Sequence, residues 1–410
     1  MKLTIAFVAV VLAAIVPGLA AAQVNQPPGQ RYSVDPAALP APFATESAIN
    51  PPRRVPRPAD AMLRVPDGFV ATLFADDMKG PRHFAVAPSG DVFVAETFAG
   101  RIVVLRDPLG SGRASERSVF VEGLRRPHGM QFHGGSFYVA DLDRVWRIPY
   151  QPGDVVARGR PEAVTQSGAL GSPEGHFTRN IVFSADGRHL FAAIGSAGNI
   201  AEEAPPRATI MRFLADSSGG RVFAAGLRNP VGIAIRPGSD ELWTVVNERD
   251  GLGDGLVPDY LTQVVDGGFY GWPYAYIGAN PQPDFAPKRP DLVAATRIPD
   301  LLFEAHSAPI GLTFYTGSSF PPEYHGDAFV ALRGSWNANR PVGYMIARVP
   351  FRDGRPAGHY ETFASGFWVA GGDRADVWGR PAGVAVAADG ALLIADDTGN
   401  TVWRVQWRGR

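Results

Sequence analysis

From Gly68 to the C-terminus, short runs of Val, Phe, Leu, Ile and Ala alternate with tight turns. The turns are Pro88-Ser89-Gly90-Asp91, His133-Gly134-Gly135, Ala185-Asp186-Gly187, Pro237-Gly238-Ser239-Asp240 and Ala388-Asp389-Gly390. A strand follows each: Val92–Ala95, Phe137–Ala140, Leu190–Ile194, Leu242–Val246 and Leu392–Ala395. A sixth copy, Asp327–Leu332, follows a longer insertion. A third strand closes these copies, as at Arg101–Leu105, Val145–Ile148, Thr209–Phe213, Tyr344–Val349 and Thr401–Val405. A segment of outer-strand character precedes every copy: Val70–Phe74, Ser118–Val121, Glu162–Thr165, Arg221–Ala224, Leu301–Glu304 and Tyr360–Phe363. Six four-stranded units at blade-sized spacing predict an all-β, six-bladed propeller. The first outer strand comes before the first full copy, and the chain stops after the third strand of the last. An N-terminal strand pairing with the last blade therefore closes the ring and leaves no free edge.

The chain before that pattern is different. Met1-Lys2, an apolar run from Leu3 to Val16, and Ala20-Ala21-Ala22 have the order of a secretory signal peptide. This predicts cleavage near Gln23, a periplasmic or secreted protein, and no membrane span afterwards. Pro27-Pro28, Pro40, Pro42, Pro51-Pro52, Pro56 and Pro58 then mark an extended lead-in without period. The expected organisation is a signal peptide at 1–22, a lead-in at 23–64 and one propeller domain at 65–410.

Composition narrows the chemistry. There is no cysteine, which excludes thiolate metal sites and a covalently attached c-type haem. A formal net charge of −1 with no basic run argues against nucleic acid as a partner.

In an up-and-down blade, the interblade loops and the loops between second and third strands share one face. The interblade loops carry Arg82-His83, Arg125-Arg126-Pro127-His128, Gly175-His176, Arg228-Asn229-Pro230 and Arg380-Pro381. The other loops on that face carry Glu96, Asp141, Ser196 to Asn199, Asn247 to Asp254, and Arg333 to Arg340. One mouth of the channel is thus polar and cationic, suited to a ligand with several carboxylates.

Gly226-Leu227-Arg228-Asn229-Pro230 and Gly267-Gly268-Phe269-Tyr270-Gly271-Trp272-Pro273 resemble two segments of the glucose/sorbosone dehydrogenases that use pyrroloquinoline quinone (PQQ). Gly175-His176 leading into Asn180-Ile181-Val182-Phe183 is similar to the segment carrying that family's general base. Asn247 to Asp254 and Arg333-Gly334-Ser335-Trp336-Asn337 look closer to the sorbosone-type branch. The resemblance implies that a sugar or sugar-derived alcohol or aldehyde is oxidised by hydride transfer to PQQ. It implies His176 as base and Arg228 as the group that polarises the quinone oxygen. Arg228, Asn229, Arg333, Arg380 and Trp336 fall at cofactor-contact positions. Calcium is implied at the segment holding Glu248, Arg249 and Asp250, chiefly through backbone carbonyls, with Asp250 and Asp254 as further carboxylates. An aspartate that orients the histidine in some relatives is Ser196 here, and an acidic residue before it is Gly175. Both changes put glucose itself in doubt. Tyr270 and Trp272 read as packing residues, and Trp336 as either a stacking or a core residue. No haem or flavin motif is present, so reoxidation falls to an external acceptor, a small cytochrome or a quinone. Two other classes fit a six-bladed propeller: a calcium-dependent lactonase, which needs a carboxylate-dominated axial site, and a non-catalytic binding propeller.

Overall fold

A computed structural model describes residues 26–409. The signal-peptide reading at 1–22 lies outside the described residues. Among them, no helix is long and apolar enough to cross a membrane.

The first blade is Pro81–Val86, Val92–Glu96, Arg101–Arg106 and Glu116–Glu122, antiparallel throughout. Four more blades repeat this order, with inner strands Met130–His133, Arg179–Phe183, Asn229–Ile235 and Pro309–Phe314. The sixth combines Pro381–Val386, Leu392–Asp396 and Thr401–Trp407 with Phe69–Ala75 from the other end of the chain. Phe69 pairs with Trp407 and Ala71 with Val405, which is the expected closure. The fourth blade has a third strand, Pro258–Val264, that the hydrophobic pattern did not single out. It begins on a proline after the polar loop 247–254, where no turn signal announces it.

The second strands are apolar on both faces because each blade is buried on both sides. Successive side chains point to opposite faces. Phe93 and Ala95 therefore enter the wedge between the first and second blades, while Val92 and Val94 enter the wedge shared with the sixth. Leu392 and Ile394 likewise face the fifth blade, and Leu393 and Ala395 face the first. The core is a set of wedges between blades, so no blade is stable apart from its neighbours.

At the axis the inner strands touch their neighbours all the way round. Four of them carry glycine at the point of contact. A Cβ on Gly129 would lie 2.4 Å from the Ile181 nitrogen, and one on Gly311 2.6 Å from the Ala382 oxygen. A Cβ on Gly383 would lie 2.6 Å from the Arg82 oxygen, and one on Gly232 2.8 Å from the Leu312 nitrogen. At the two remaining contacts, His83 stacks on His128 at 5.0 Å and Asn180 Nδ2 donates to the Val231 carbonyl at 2.9 Å.

The lead-in is extended, and it is stitched to the propeller along its length. Arg31–Tyr32 pairs with Tyr360–Ala364 on the fifth blade, and Arg53–Arg54 runs parallel to Asp376–Val377. Leu63 reaches the core between the fifth and sixth blades.

Because the glycine contacts are made with backbone, they cannot yield by a rotamer change. Gly129→Ala should lower stability by about 1–3 kcal/mol. Gly159→Ala, where the added methyl meets nothing within 4 Å, should leave it unchanged. Chemical denaturation of the two variants beside the parent checks this, and equal midpoints would contradict the close-approach argument.

Candidate functional site

At the mouth of the channel lies a cavity of about 350 Å³. Its lining draws His176, Arg228, Asn229, Glu248, Asp250, Arg333, Trp336 and Arg380 from separate loops into one place. Its floor is apolar: Val231 and Ile310 pack with Ala382 where the inner strands converge.

Three guanidiniums crowd one side. Arg82 and Arg333 share the buried carboxylate of Asp397, with Arg333 Nε at 3.0 Å from Oδ2 and Nη2 at 3.1 Å from Oδ1. Arg380 donates through Nε to the Arg333 carbonyl at 3.0 Å and through Nη2 to the Gly334 carbonyl. Its backbone is fixed by Asp396, whose Oδ1 accepts the Arg380 N–H at 2.7 Å. One carboxylate thus serves a cluster of three cations. Burial, with the neighbouring Arg333 charge, brings the Arg380 guanidinium down to about 9. Such a cluster lacks negative charge and favours an anionic ligand.

Arg228 stands across the cavity. It donates to the Glu248 carbonyl at 2.7 Å and to Asn199 at 3.1 Å (carbonyl) and 2.9 Å (Oδ1), with Asp250 at 3.7 Å. Buried atoms without partners lie on residues that line the same space: Arg82 Nε and His306 Nε2. Buried polar atoms without partners are rare, and here they mark where a polar ligand fits. A tricarboxylated quinone fits this donor set.

His176 is held by local backbone. Gly175 has φ +67°, and a Cβ there would lie 2.0 Å from the Ala197 oxygen, so no acidic residue can precede the histidine in this loop. His176 Nδ1 lies 2.8 Å from the Ser196 carbonyl and 3.1 Å from its Oγ. The Ser196 hydroxyl itself donates to the Gly198 carbonyl at 2.6 Å. The carbonyl therefore takes the Nδ1 hydrogen and leaves Nε2 as the basic nitrogen, the orientation that an aspartate would otherwise enforce. Burial, then the Arg228 charge, lowers His176 to about 4.

The calcium expectation rests on backbone carbonyls and not on the side chain of Arg249. Its side chain is absent from the cavity lining, turned to Glu248 Oε2 at 3.0 Å, Gln282 Oε1 at 3.1 Å and the Ala275 carbonyl at 2.8 Å. The segment's carbonyls already accept protein hydrogens: those of Asn247 and Glu248 from Arg228, that of Asp250 from Asn199. Asp254 accepts from the Asn339 N–H at 2.7 Å and lies off the cavity. With a guanidinium at these oxygens, the segment as arranged does not fit a divalent cation. Among the described residues, no group of three or more His, Cys, Asp or Glu could hold a metal.

Trp336 is 48% exposed at the mouth and so is no core residue. Tyr270 and Trp272 are buried, the latter donating to the Asn199 carbonyl at 3.0 Å. Sequence reasoning missed three members of the site. Arg82 stood among the loop residues but received no role. Asp259 accepts the Glu248 and Ala308 N–H groups, both at 2.8 Å, and burial pushes it up to about 7. His306 was not singled out, although it occupies the loop before Pro309 as Arg228 occupies the loop before Pro230.

A family model described as TrAA12-like matches residues 63–257 and 291–408. An uncharacterised protein of Borreliella burgdorferi is 27% identical over 361 residues, covering 84% of this chain and 91% of that one. The pyrroloquinoline quinone-dependent pyranose dehydrogenase of Coprinopsis cinerea is 26% identical over 424 residues, covering 84% of this chain and 54% of that protein. The chain thus spans about half the length of that relative. The holo PQQ domain of the Coprinopsis enzyme superposes with a TM-score of 0.71 at 22% identity, covering 87% of this chain and all of that domain. A calcium structure of a Trichoderma reesei carbohydrate-active enzyme of family AA12 does so at 0.71 and 19%, over 86% of this chain and 100% of that one. At these identities the superpositions establish the six-bladed fold.

With His176 lowered to about 4, the ring of the apoprotein stays neutral throughout the neutral range and becomes protonated only well below pH 6.5. A pH titration followed by NMR of ring-labelled histidine checks this; a His176 midpoint at or above the free-imidazole value would refute the site's electrostatics.

Proposed function

We propose that this chain, which belongs to the TrAA12-like family, oxidises a sugar or sugar-derived alcohol or aldehyde with PQQ bound in the cationic cavity. One observation carries the reading: a cluster of arginines short of counter-charge faces a neutral, oriented imidazole across a single cavity with an apolar floor. Named relatives include a pyrroloquinoline quinone-dependent pyranose dehydrogenase and an aldose sugar dehydrogenase. A lactonase would need carboxylates where this chain has Arg82, Arg228, Arg333 and Arg380.

When bound, the quinone supplies an electrophilic carbonyl that accepts hydride. The chain's own residues do the rest. Arg82, Arg333 and Arg380 hold carboxylates, and Asp397 fixes the first two of these guanidiniums in place. Arg228 donates toward the oxygen on which negative charge grows. His176 Nε2 takes the hydroxyl proton of the substrate, and its low basicity keeps it ready to do so at neutral pH. Val231 and Ile310 exclude water from beneath, and Trp336 walls the open side. An external acceptor, a small cytochrome or a quinone, takes the electrons onward. The protein is exported, and material from its native compartment should begin at or near Gln23; N-terminal sequencing that returns Met1 would refute this.

Titration of apoprotein with PQQ, followed by tryptophan quenching and dye reduction with a panel of aldoses, tests the function. Arg333→Ala or Arg380→Ala should weaken PQQ binding about tenfold or more, each removing a charge-assisted contact. His176→Gln should keep PQQ while turnover falls about a hundredfold to ten-thousandfold. Unchanged turnover in that variant with PQQ fully bound would reject His176 as the base.

A further inference from the structure

We propose that His306 is a further binding residue of this site, whose Nε2–H donates to an oxygen of the bound quinone. The proposal rests on the PQQ reading above and adds a donor from the loop that is hydrogen-bonded to the one bearing Arg333. His306 lines the cavity with its side chain 4% exposed, and its Nε2 is buried without a hydrogen-bond partner.

The other ring nitrogen shows where the hydrogen is. Asn337 Nδ2 lies 2.6 Å from Asp250 Oδ1 and 3.0 Å from His306 Nδ1. A carboxylate requires a donor, so the amide nitrogen and not its oxygen faces this corner. That nitrogen presents its second hydrogen to His306 Nδ1, which then accepts. The ring hydrogen therefore sits on Nε2, and it would sit there in the cationic form too. His306 is thus the converse of His176, whose Nδ1 carries the hydrogen and whose Nε2 is the acceptor.

The backbone is built to hold this ring. His306 and Ala308 both adopt left-handed conformations, with φ 68° and 57°. These are costly for residues other than glycine and persist where the surroundings fix them. Here Asp259 binds the Ala308 N–H at 2.8 Å, while the Ser307 and Ala308 carbonyls accept from the Gly334 and Arg333 N–H groups at 2.9 Å each. The last two bonds join this loop to the one bearing Arg333. The same cavity is lined by Arg82, whose Nε is a second unpartnered donor. One bound molecule with several oxygens would answer both donors.

Asn tolerates the left-handed backbone but is too short to reach the ligand, whereas Gln keeps a donor at similar reach. PQQ is titrated into each apoprotein by tryptophan quenching and equilibrium dialysis, with thermal melts of the apo forms alongside. His306→Asn should raise the PQQ Kd about ten- to hundredfold with its apo melting temperature unchanged. His306→Gln should recover part of the affinity. In the unmutated protein, the His306 Nε2 signal of ring-labelled histidine should move on PQQ addition. Wild-type affinity in His306→Asn, or a signal indifferent to PQQ, overturns the proposal and leaves the functional reading standing. A lower melting temperature with an unchanged Kd overturns it in favour of a structural role. No PQQ uptake by the parent protein overturns both.

Discussion

Backbone packed against backbone at the propeller axis is the constraint on which everything else rests. Six inner strands meet closely enough that four of the contacts exclude even a methyl group. This closeness brings loops from distant parts of the chain within reach of one small ligand. It also plugs the channel with Val231, Ile310 and Ala382, which turns a hole through the protein into a cavity with a floor. A wider ring would leave the arginines at 82, 228, 333 and 380 too far apart to act together. The two exceptions to the glycine rule reinforce it. At one, two imidazoles stack, and at the other an asparagine spans to a carbonyl. Each fills the gap that a side chain creates.

Above that floor, electrostatics divides the site. Asp397 is the hinge of the cationic side, since it binds Arg82 from the first blade and Arg333 from the fifth while belonging to the sixth. It steadies the cluster without neutralising it, and the residual charge is what an anionic cofactor would answer. The two histidines then receive opposite treatment. His176 is buried beside Arg228 and goes down; for His306 burial alone would do the same, but the carboxylates of Asp250, Asp259 and Asp254 together raise it. Two imidazoles in one cavity, driven apart in basicity, serve as acceptor and donor without competing for one role.

Strands were legible because each is short, apolar on both faces and bounded by Gly, Pro or Asp. The site loops were legible because strand alternation assigns them to one face. What escaped is equally physical. Pro258–Val264 follows a polar loop with no turn signal to announce it. Arg249 lies past the end of the strand Leu242–Asn247, and its side chain turns inward to Gln282. His306 lies in no motif, and only its left-handed backbone and its neighbour Asn337 aim it into the cavity. A signal was nonetheless there: Pro309 and Pro381 open inner strands and Pro230 stands second in another, and just before the first and last of these prolines in the chain come Arg228-Asn229 and Arg380.

The lead-in shows a different limit of sequence reading. Its prolines and alanines have no period, and nothing in it can form a core. Its order comes from what it touches. The Phe43 N–H donates to the Leu252 carbonyl at 2.7 Å, Thr45 Oγ1 accepts from the Asp254 N–H at 2.9 Å, and Ser47 Oγ from the Gly253 N–H at 3.2 Å. The Asn50 N–H donates to the Trp336 carbonyl at 2.7 Å, and its side chain donates to the carbonyls of Ala338, Asn339 and Asp373. One stretch of irregular chain thus joins the loop that bears Asp250 to the loop that bears Trp336 and Asn337. Those loops hold the hydrogen-bonded corner around His306. The geometry of that corner is therefore imposed from both sides, by the axis beneath and by the lead-in around the rim, and a segment that reads as a tether from its sequence is part of the wall of the site.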